Sequence, residues 1–212
     1  MLGRTHFFIG TAAALAVLQP QTVPALVAGV GAAAIGGLIS DIDVGTSQAH
    51  RDADKIITAT VAVAVLTILA EYKLNLGIYR RLTSDSSVLR LLAGTAAFLL
   101  ICAYGKQQPH RSFMHSFAAL ALLTACVDII YPDVSAYFAV GFLSHLVLDF
   151  FNRKPEKLFW PWKKGFCLGF CSARGLVNRA LLGCGMVSLA VVLVLSAPAG
   201  RLMAKIMRAI YG

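Results

Sequence analysis

Charged residues are scarce in this chain. They make up 14% of the 212 residues, whereas a soluble globular domain has about 25%. Hydrophobic residues make up 58%, and the mean hydropathy is +0.74. This balance excludes an ordinary soluble domain and predicts a single polytopic membrane domain over residues 1–212.

The signals of several other protein classes are also missing. No basic soluble module is visible, so the net charge of +9 predicts contact with anionic lipid headgroups and no nucleic-acid partner. No His-Glu-x-x-His occurs, which argues against an intramembrane zinc protease. The five cysteines are scattered and resemble small core residues, although Cys167-x-x-x-Cys171 leaves a metal or redox pair open.

Long apolar segments dominate the rest of the chain, and a membrane span needs about 17–25 such residues. They predict an all-α polytopic transmembrane helical bundle of about six or seven helices. The segments are 6–19, 24–40, 56–72, 88–105, 113–131, 134–150 and 177–197. The first segment is short, as in a signal peptide. Because no clean cleavage site precedes Gln19-Pro20, we interpret it as a helix that stays in the protein. Residues 199–212 have amphipathic spacing, which predicts an interfacial helix.

Polar residues collect at one end of these segments. If every segment crosses, one face of the membrane receives the N-terminus and four clusters: His6, Asp41/Asp43, His110/His115 and His145/Asp149. Twelve Lys and Arg lie near that face and seven near the other, so the positive-inside rule favours the cytoplasm for it.

The most telling cluster is Ser144-His145-Leu-Val-Leu-Asp149, inside an apolar run. A spacing of four places His145 and Asp149 on one helix face, where they cost free energy in a membrane unless something compensates them. Imidazole and carboxylate ligands together suit Zn, Mn or Fe, and such a set can hold two or more ions. One of Asp41 and Asp43 could bridge two ions or act as a general base, and Arg111 could hold a phosphate.

Other polar residues leave alternatives open. The run Phe159-Trp160-Pro161-Trp162 is best explained as an interfacial anchor, and a grip on lipid headgroups stays open. Arg174 and Asn178 are candidates for substrate contact, whereas His50 is interpreted as a solvated loop residue.

Five short motifs follow one another along the chain: Arg4-Thr5-His6, Gly37-Leu-Ile-Ser-Asp41-Ile-Asp43, His110-Arg-Ser-Phe-Met-His115-Ser, Ser144-His145-Leu-Val-Leu-Asp149 and Leu158-Phe-Trp-Pro161. In this order they resemble the motifs of the YdjM-type membrane-bound metal-dependent hydrolases, from residue 3 to about residue 165. The chain departs from that pattern at Ser40, where the family usually has Pro, and at Ser112-Phe-Met114, where it usually has Gly-x-Thr. The family is thought to be distantly similar to zinc-dependent phospholipase C and to S1/P1-type nucleases.

The resemblance implies a metal set of His6, Asp41, Asp43, His110, His115, His145 and Asp149. The resulting hypothesis is a metal-dependent hydrolase of a bacterial or archaeal cell membrane, with zinc, or else manganese, as cofactor. It would cleave a phosphate ester of a membrane lipid or lipid-linked substrate, with Asp43 and Arg111 in catalytic roles. The alternative is a non-enzymatic metal or ion transporter, or a lipid-binding membrane protein. A transporter is expected to keep its ionisable groups near the bilayer midplane.

Overall fold

The computed structural model describes residues 3–45, 86–172 and 175–211. This part of the chain is helical: α1 (Gly3–Leu18), α2 (Val23–Ile39), α3 (Ser86–Lys106), α4 (Phe117–Ile130), α5 (Pro132–Phe150), α6 (Leu176–Leu195) and α7 (Ala197–Tyr211). Short 3₁₀ turns, Ser40–Asp43 and Phe113–His115, follow α2 and precede α4. In the described ranges the β-structure is limited to two isolated bridges in the loop after α5.

The all-α class is confirmed for the described residues, and four helices are long and apolar enough to cross a membrane. They are α2 with its 3₁₀ extension (Val23–Asp43), α3 from Ser87, α5 and α6. The helices α1 and α4 are apolar but shorter, so the count of six or seven spans stays a prediction. The predicted segment 56–72 lies outside the described residues.

The start of α4 differs from the prediction, which joined residues 113–131 in one segment. Ser116 caps this helix, because its Oγ accepts a hydrogen bond from the Ala119 N–H at 3.2 Å. The same hydroxyl donates to the Phe113 carbonyl at 2.6 Å. His115 therefore lies on a separate turn that can direct its ring independently of α4.

Close contact between helix backbones holds the centre of the bundle together. Helix α5 packs against α1, α2 and α4, while α6 covers α1 and α3 covers α4. Gly36 faces the Phe138 carbonyl and Gly141 faces the Ala33 carbonyl, and a Cβ on either glycine would come closer than 3.0 Å to that oxygen. Small residues of this kind let membrane helices approach closely, which favours dispersion contacts that do not depend on water.

Two apolar clusters pack beside these contacts. One surrounds Phe138, Phe142 and Leu146 of α5, and it includes Ile42 of the 3₁₀ turn and Met114 of the loop before α4. The other joins α1, α2, α5 and α6. The first cluster therefore anchors both turns that carry predicted site residues.

The cysteines follow the prediction in part. Cys102, Cys126 and Cys171 are buried as expected, whereas Cys167 and Cys184 are exposed. All five are free thiols.

Gly141→Ala is expected to lower the stability of the bundle by about 1–3 kcal/mol, because the new methyl group meets the Ala33 backbone oxygen. Gly31→Ala on α2 is the matched control, since a Cβ there meets nothing within 4 Å. Alanine is favoured over glycine inside a helix by about 1 kcal/mol, so this control should melt at the same temperature or higher. Thermal melting in detergent, followed by circular dichroism, compares the two, and equal melting temperatures would contradict the close α2–α5 packing.

Candidate metal centre

The polar clusters predicted from the sequence meet at one end of the bundle. Helix α1 contributes a residue near its start, α2 two residues from its terminal turn, the loop before α4 two residues, and α5 two from its last turns. They are His6, Asp41, Asp43, His110, His115, His145 and Asp149. Their side chains form three overlapping groups, each with ligand atoms within 4.8 Å of one another.

The inner group consists of His6, His145 and Asp149, all of them buried. His6 Nε2 lies 3.4 Å from Asp149 Oδ1, and the two imidazole rings stack with 3.8 Å between their centroids. His145 Nδ1 lies 2.8 Å from the Gly37 carbonyl oxygen, which can only accept. This nitrogen therefore carries the proton of the neutral ring, and Nε2 presents its lone pair to the group.

His6 supplies a test of whether this group fits a metal ion. Its side chain is fully buried, yet neither ring nitrogen has a hydrogen-bond partner within the described ranges. Buried polar atoms are almost always paired. Nε2 has its 3.4 Å contact with Asp149 but no hydrogen bond, and Nδ1 has neither, so the ring leaves a place for a further partner such as an ion. The donor set of two imidazoles and a carboxylate is one that zinc accepts.

The outer group consists of Asp43, His110 and His115. His110 Nδ1 lies 2.9 Å from Asp43 Oδ1, and His115 Nδ1 lies 3.5 Å from Asp43 Oδ2. The His110 side chain is 38% exposed, whereas those of Asp43 and His115 are fully buried. The outer group therefore opens toward the surface through His110.

Asp41 lies between the two groups. Its Oδ1 is 3.8 Å from His145 Nε2 and 3.9 Å from His115 Nε2, and its side chain is 20% exposed. Because Ser40–Asp43 is a 3₁₀ turn, the two aspartates take different positions and Ile42 between them enters the apolar core. Asp41 is thus a carboxylate that lies next to one imidazole of each group and that solvent can reach.

The ligand atoms available favour two ions over three. The third group consists of Asp41, His115 and His145. A neutral imidazole has a single lone pair, so His145 Nε2 cannot bind one ion in the inner group and another in this third group. The inner and outer groups share no atom and can be filled together. Zinc bonds of about 2.0–2.1 Å space tetrahedral ligand atoms about 3.3 Å apart. The 3.4 Å and 3.5 Å separations in the two groups lie close to that spacing.

Arg111 donates hydrogen bonds to one carboxylate of each group. It adopts a left-handed backbone conformation, with φ of 65°, and its N–H donates to Asp43 Oδ2 at 3.1 Å. Its buried guanidinium donates to Asp149 Oδ2 through Nη2 and to the Lys154 carbonyl through Nη1 at 2.6 Å. The arginine therefore orients Asp149, and its predicted contact with a phosphate stays a prediction.

His115 connects the groups electrostatically. Burial lowers the pKa of this imidazole, but hydrogen bonds and charges from Asp149 and Asp43 outweigh burial and raise it to about 9. Its Nε2 lies 3.6 Å from Asp149 Oδ2, while its Nδ1 faces Asp43. In the metal-free protein a protonated His115 thus stands between two buried carboxylates.

Several other predicted residues are not part of this arrangement. Asn178 is buried and accepts a hydrogen bond from Thr5 at 3.0 Å, which joins α6 to α1, and its contact with a substrate stays a prediction. His50 and Arg174 lie outside the described residues. Trp160 packs edge-on against Tyr104 and Phe113, whereas Trp162 is exposed, so the predicted interfacial anchor would rest on Trp162.

Glu156 is a buried acid near the centre that the sequence does not predict. Glu156 is fully buried, and both of its carboxylate oxygens lack a hydrogen-bond partner in the described part of the chain. Burial raises the pKa of Glu156 to about 8, with Asp149 adding to the increase and His115 and Arg111 opposing it. Its position between Lys154 and Lys157 is typical of a solvated loop, so no local signal could have indicated burial.

Two single substitutions should each remove one ion, because His6 belongs only to the inner group and His110 only to the outer. Zinc content measured by mass spectrometry after dialysis is expected to fall from about two ions per chain to about one in His6→Ala and in His110→Ala. The double variant keeps only the group of Asp41, His115 and His145, so it should hold at most one ion. Asp128→Asn is the control, since Asp128 bonds to Ser135 at the opposite end of α4. The same zinc content in every variant would contradict the two-group assignment.

The metal-free protein is expected to lose stability as the pH rises from 6.5 to about 9. The folded state holds the His115 proton more tightly than the unfolded state, so this stabilisation is complete below 6.5 and lost by about 9. Zinc displaces a proton from its ligands, so zinc affinity should increase over the same interval. Melting curves of chelator-treated protein and zinc titrations test both trends. His115→Gln should reduce the loss of stability with pH and leave the part that Glu156 contributes up to about pH 8. An unchanged slope in that variant would contradict the assignment.

Comparison with known proteins assigns this sequence to a family. No curated protein and no solved structure matches the chain. The family model described as YdjM inner membrane protein matches residues 1–210, which includes every residue of the inner and outer groups. Because this match covers nearly the whole chain, the chain belongs to the YdjM inner membrane protein family.

Proposed function

We propose that this protein is a metal-dependent hydrolase that cleaves a phosphate ester of a membrane lipid or lipid-linked substrate. The observation that carries the proposal is the pair of ligand groups that share no atom, with a partly exposed Asp41 between them. Two metal ions a few ångströms apart form the usual clamp for displacement at phosphorus. The distant similarity to zinc-dependent phospholipase C and S1/P1-type nucleases, which the motifs imply, supports the same reaction class.

The residues suggest a division of roles. Bound metal supplies Lewis acidity and lowers the pKa of water toward neutrality. Asp43 engages His110 and the Arg111 N–H with different oxygens, which suits a metal ligand better than a general base. Asp41 is more exposed and faces both groups, so we assign the removal of a proton from the attacking water to it. Arg111 holds Asp149 in place.

A lipid substrate is favoured by an apolar cavity beside the centre. The cavity has a volume of about 650 Å³ and is lined by residues of α2, α3, α4 and α5, among them Ala32, Phe98 and Phe138. Ile42, the residue between Asp41 and Asp43, forms part of its wall. Small-molecule sites have volumes of about 300–1,000 Å³. A phosphate at the centre would therefore leave an apolar chain next to a cavity that accepts it.

The location of the centre supports hydrolysis over transport. Its residues lie at the ends of α2 and α5 and near the start of α1, where water and headgroups are within reach. A transporter would carry them near the midplane on broken helices. The excess of Lys and Arg near this end favours a cytoplasmic orientation, which belongs to the same proposal.

Release of a soluble headgroup from phospholipids in detergent micelles tests the proposal. The zinc-loaded protein should release phosphate or a phosphorylated headgroup, and the chelator-treated protein should not. Asp41→Asn is expected to lower kcat by about 100-fold or more, the size of a lost general base. Asp128→Asn removes the same charge far from the centre, so its kcat should stay within about twofold of the wild-type value.

Chain length supplies the second comparison in the same assay. A long-chain phospholipid should show a higher kcat/KM than a short-chain analogue with the same headgroup, because only the long chain fills the cavity. Equal rates of headgroup release by the zinc-loaded, chelator-treated and Asp41→Asn proteins would overturn the proposal that this protein is a metal-dependent hydrolase. Zinc binding without turnover on any lipid would favour the non-enzymatic alternative.

A further inference from the structure

Glu156 is a buried acid that the proposed chemistry does not yet use. Its side chain is fully buried, and neither carboxylate oxygen meets a hydrogen-bond donor among the described residues. A carboxyl group without partners costs several kcal/mol to bury, by order of magnitude. Such a group calls for a partner beyond those that the described residues supply, such as ordered water or an ion.

The loop that carries Glu156 is fastened to the centre on both sides of this residue. The Lys157 N–H donates to the Arg111 carbonyl at 3.0 Å, and Arg111 Nη1 donates to the Lys154 carbonyl at 2.6 Å. Glu156 itself exchanges two backbone hydrogen bonds of 2.9 Å with Phe166. These bonds fix its position beside the arginine that orients Asp149.

The charges around Glu156 are those of the centre. His115, Asp149 and Arg111 act on its carboxyl group through space. Glu156 is absent from all three ligand groups, so it lies beside the ligands and not among them. In the metal-free protein, burial keeps its proton bound near neutral pH, because the pKa is about 8.

We propose that Glu156 is a further acidic residue of the metal centre, whose carboxylate offsets part of the charge of the bound ions and accepts hydrogen bonds from water beside them. This inference rests on the metal binding in the proposed function. It explains why a carboxyl group is buried without partners at this point of the loop. Substitution of a residue that supports the ligands from outside the ligand set typically lowers metal affinity by about 10–100-fold.

Glu156→Gln tests the inference, because glutamine keeps the shape and removes the charge. The affinity for zinc, measured by competition with a chelating indicator, should fall by about 10–100-fold while the number of ions stays the same. Glu156→Asp, which keeps the charge, should recover most of the affinity. Asp128→Asn removes one charge far from the centre and should bind zinc as wild type does.

The possible outcomes separate the inference from the proposed function. Wild-type affinity in Glu156→Gln would overturn the inference and leave the metal centre intact. Equal losses in Glu156→Gln and Glu156→Asp would also overturn it, since packing and not charge would then be responsible. If the wild type itself bound no zinc, the centre and the inference would fall together. Melting curves of the metal-free variants identify any that fail to fold.

Discussion

The close approach of α1, α2 and α5 is the constraint on which the centre depends. Gly36 and Gly141 remove side chains where α2 and α5 touch, so the backbones come within contact of each other's carbonyl oxygens. At this distance His145 on α5 reaches the Gly37 carbonyl, which lies in the last turns of α2, where carbonyls lack helical partners. That one hydrogen bond fixes the tautomer of His145 and aims Nε2 at the inner group.

Charge balance is the second constraint, since the centre buries several ionisable groups at the edge of an apolar bundle. Asp149 receives the Arg111 guanidinium, and Asp43 receives the Arg111 N–H and the rings of His110 and His115. A protonated His115 offsets negative charge in the metal-free protein, and a bound metal would take over that role. The left-handed conformation of Arg111 costs about 1–3 kcal/mol, and it lets one residue contact both groups.

Much of the fold and of the candidate site could be predicted from the sequence. The apolar runs gave most helices to within a few residues, because a membrane span leaves a plain signal in composition. The polar residues at the ends of those runs are predicted to share one membrane face, and the structure brings their side chains together at one end of the bundle. The position of His115 on its own turn, and the separation of Asp41 from Asp43, could not be predicted, because a cap and a 3₁₀ turn involve only a few residues.

By itself, the sequence determined which residues are polar, how they are spaced along apolar helices, and that they share one end of the bundle. Only the tertiary structure decided how they are grouped, because grouping depends on contacts between residues far apart in the chain. It separated His6 and His110 into different groups, turned the Arg111 guanidinium toward Asp149, and buried Glu156 between two lysines. Helical periodicity fixes the face on which a side chain lies, while packing against neighbouring helices fixes what that side chain meets.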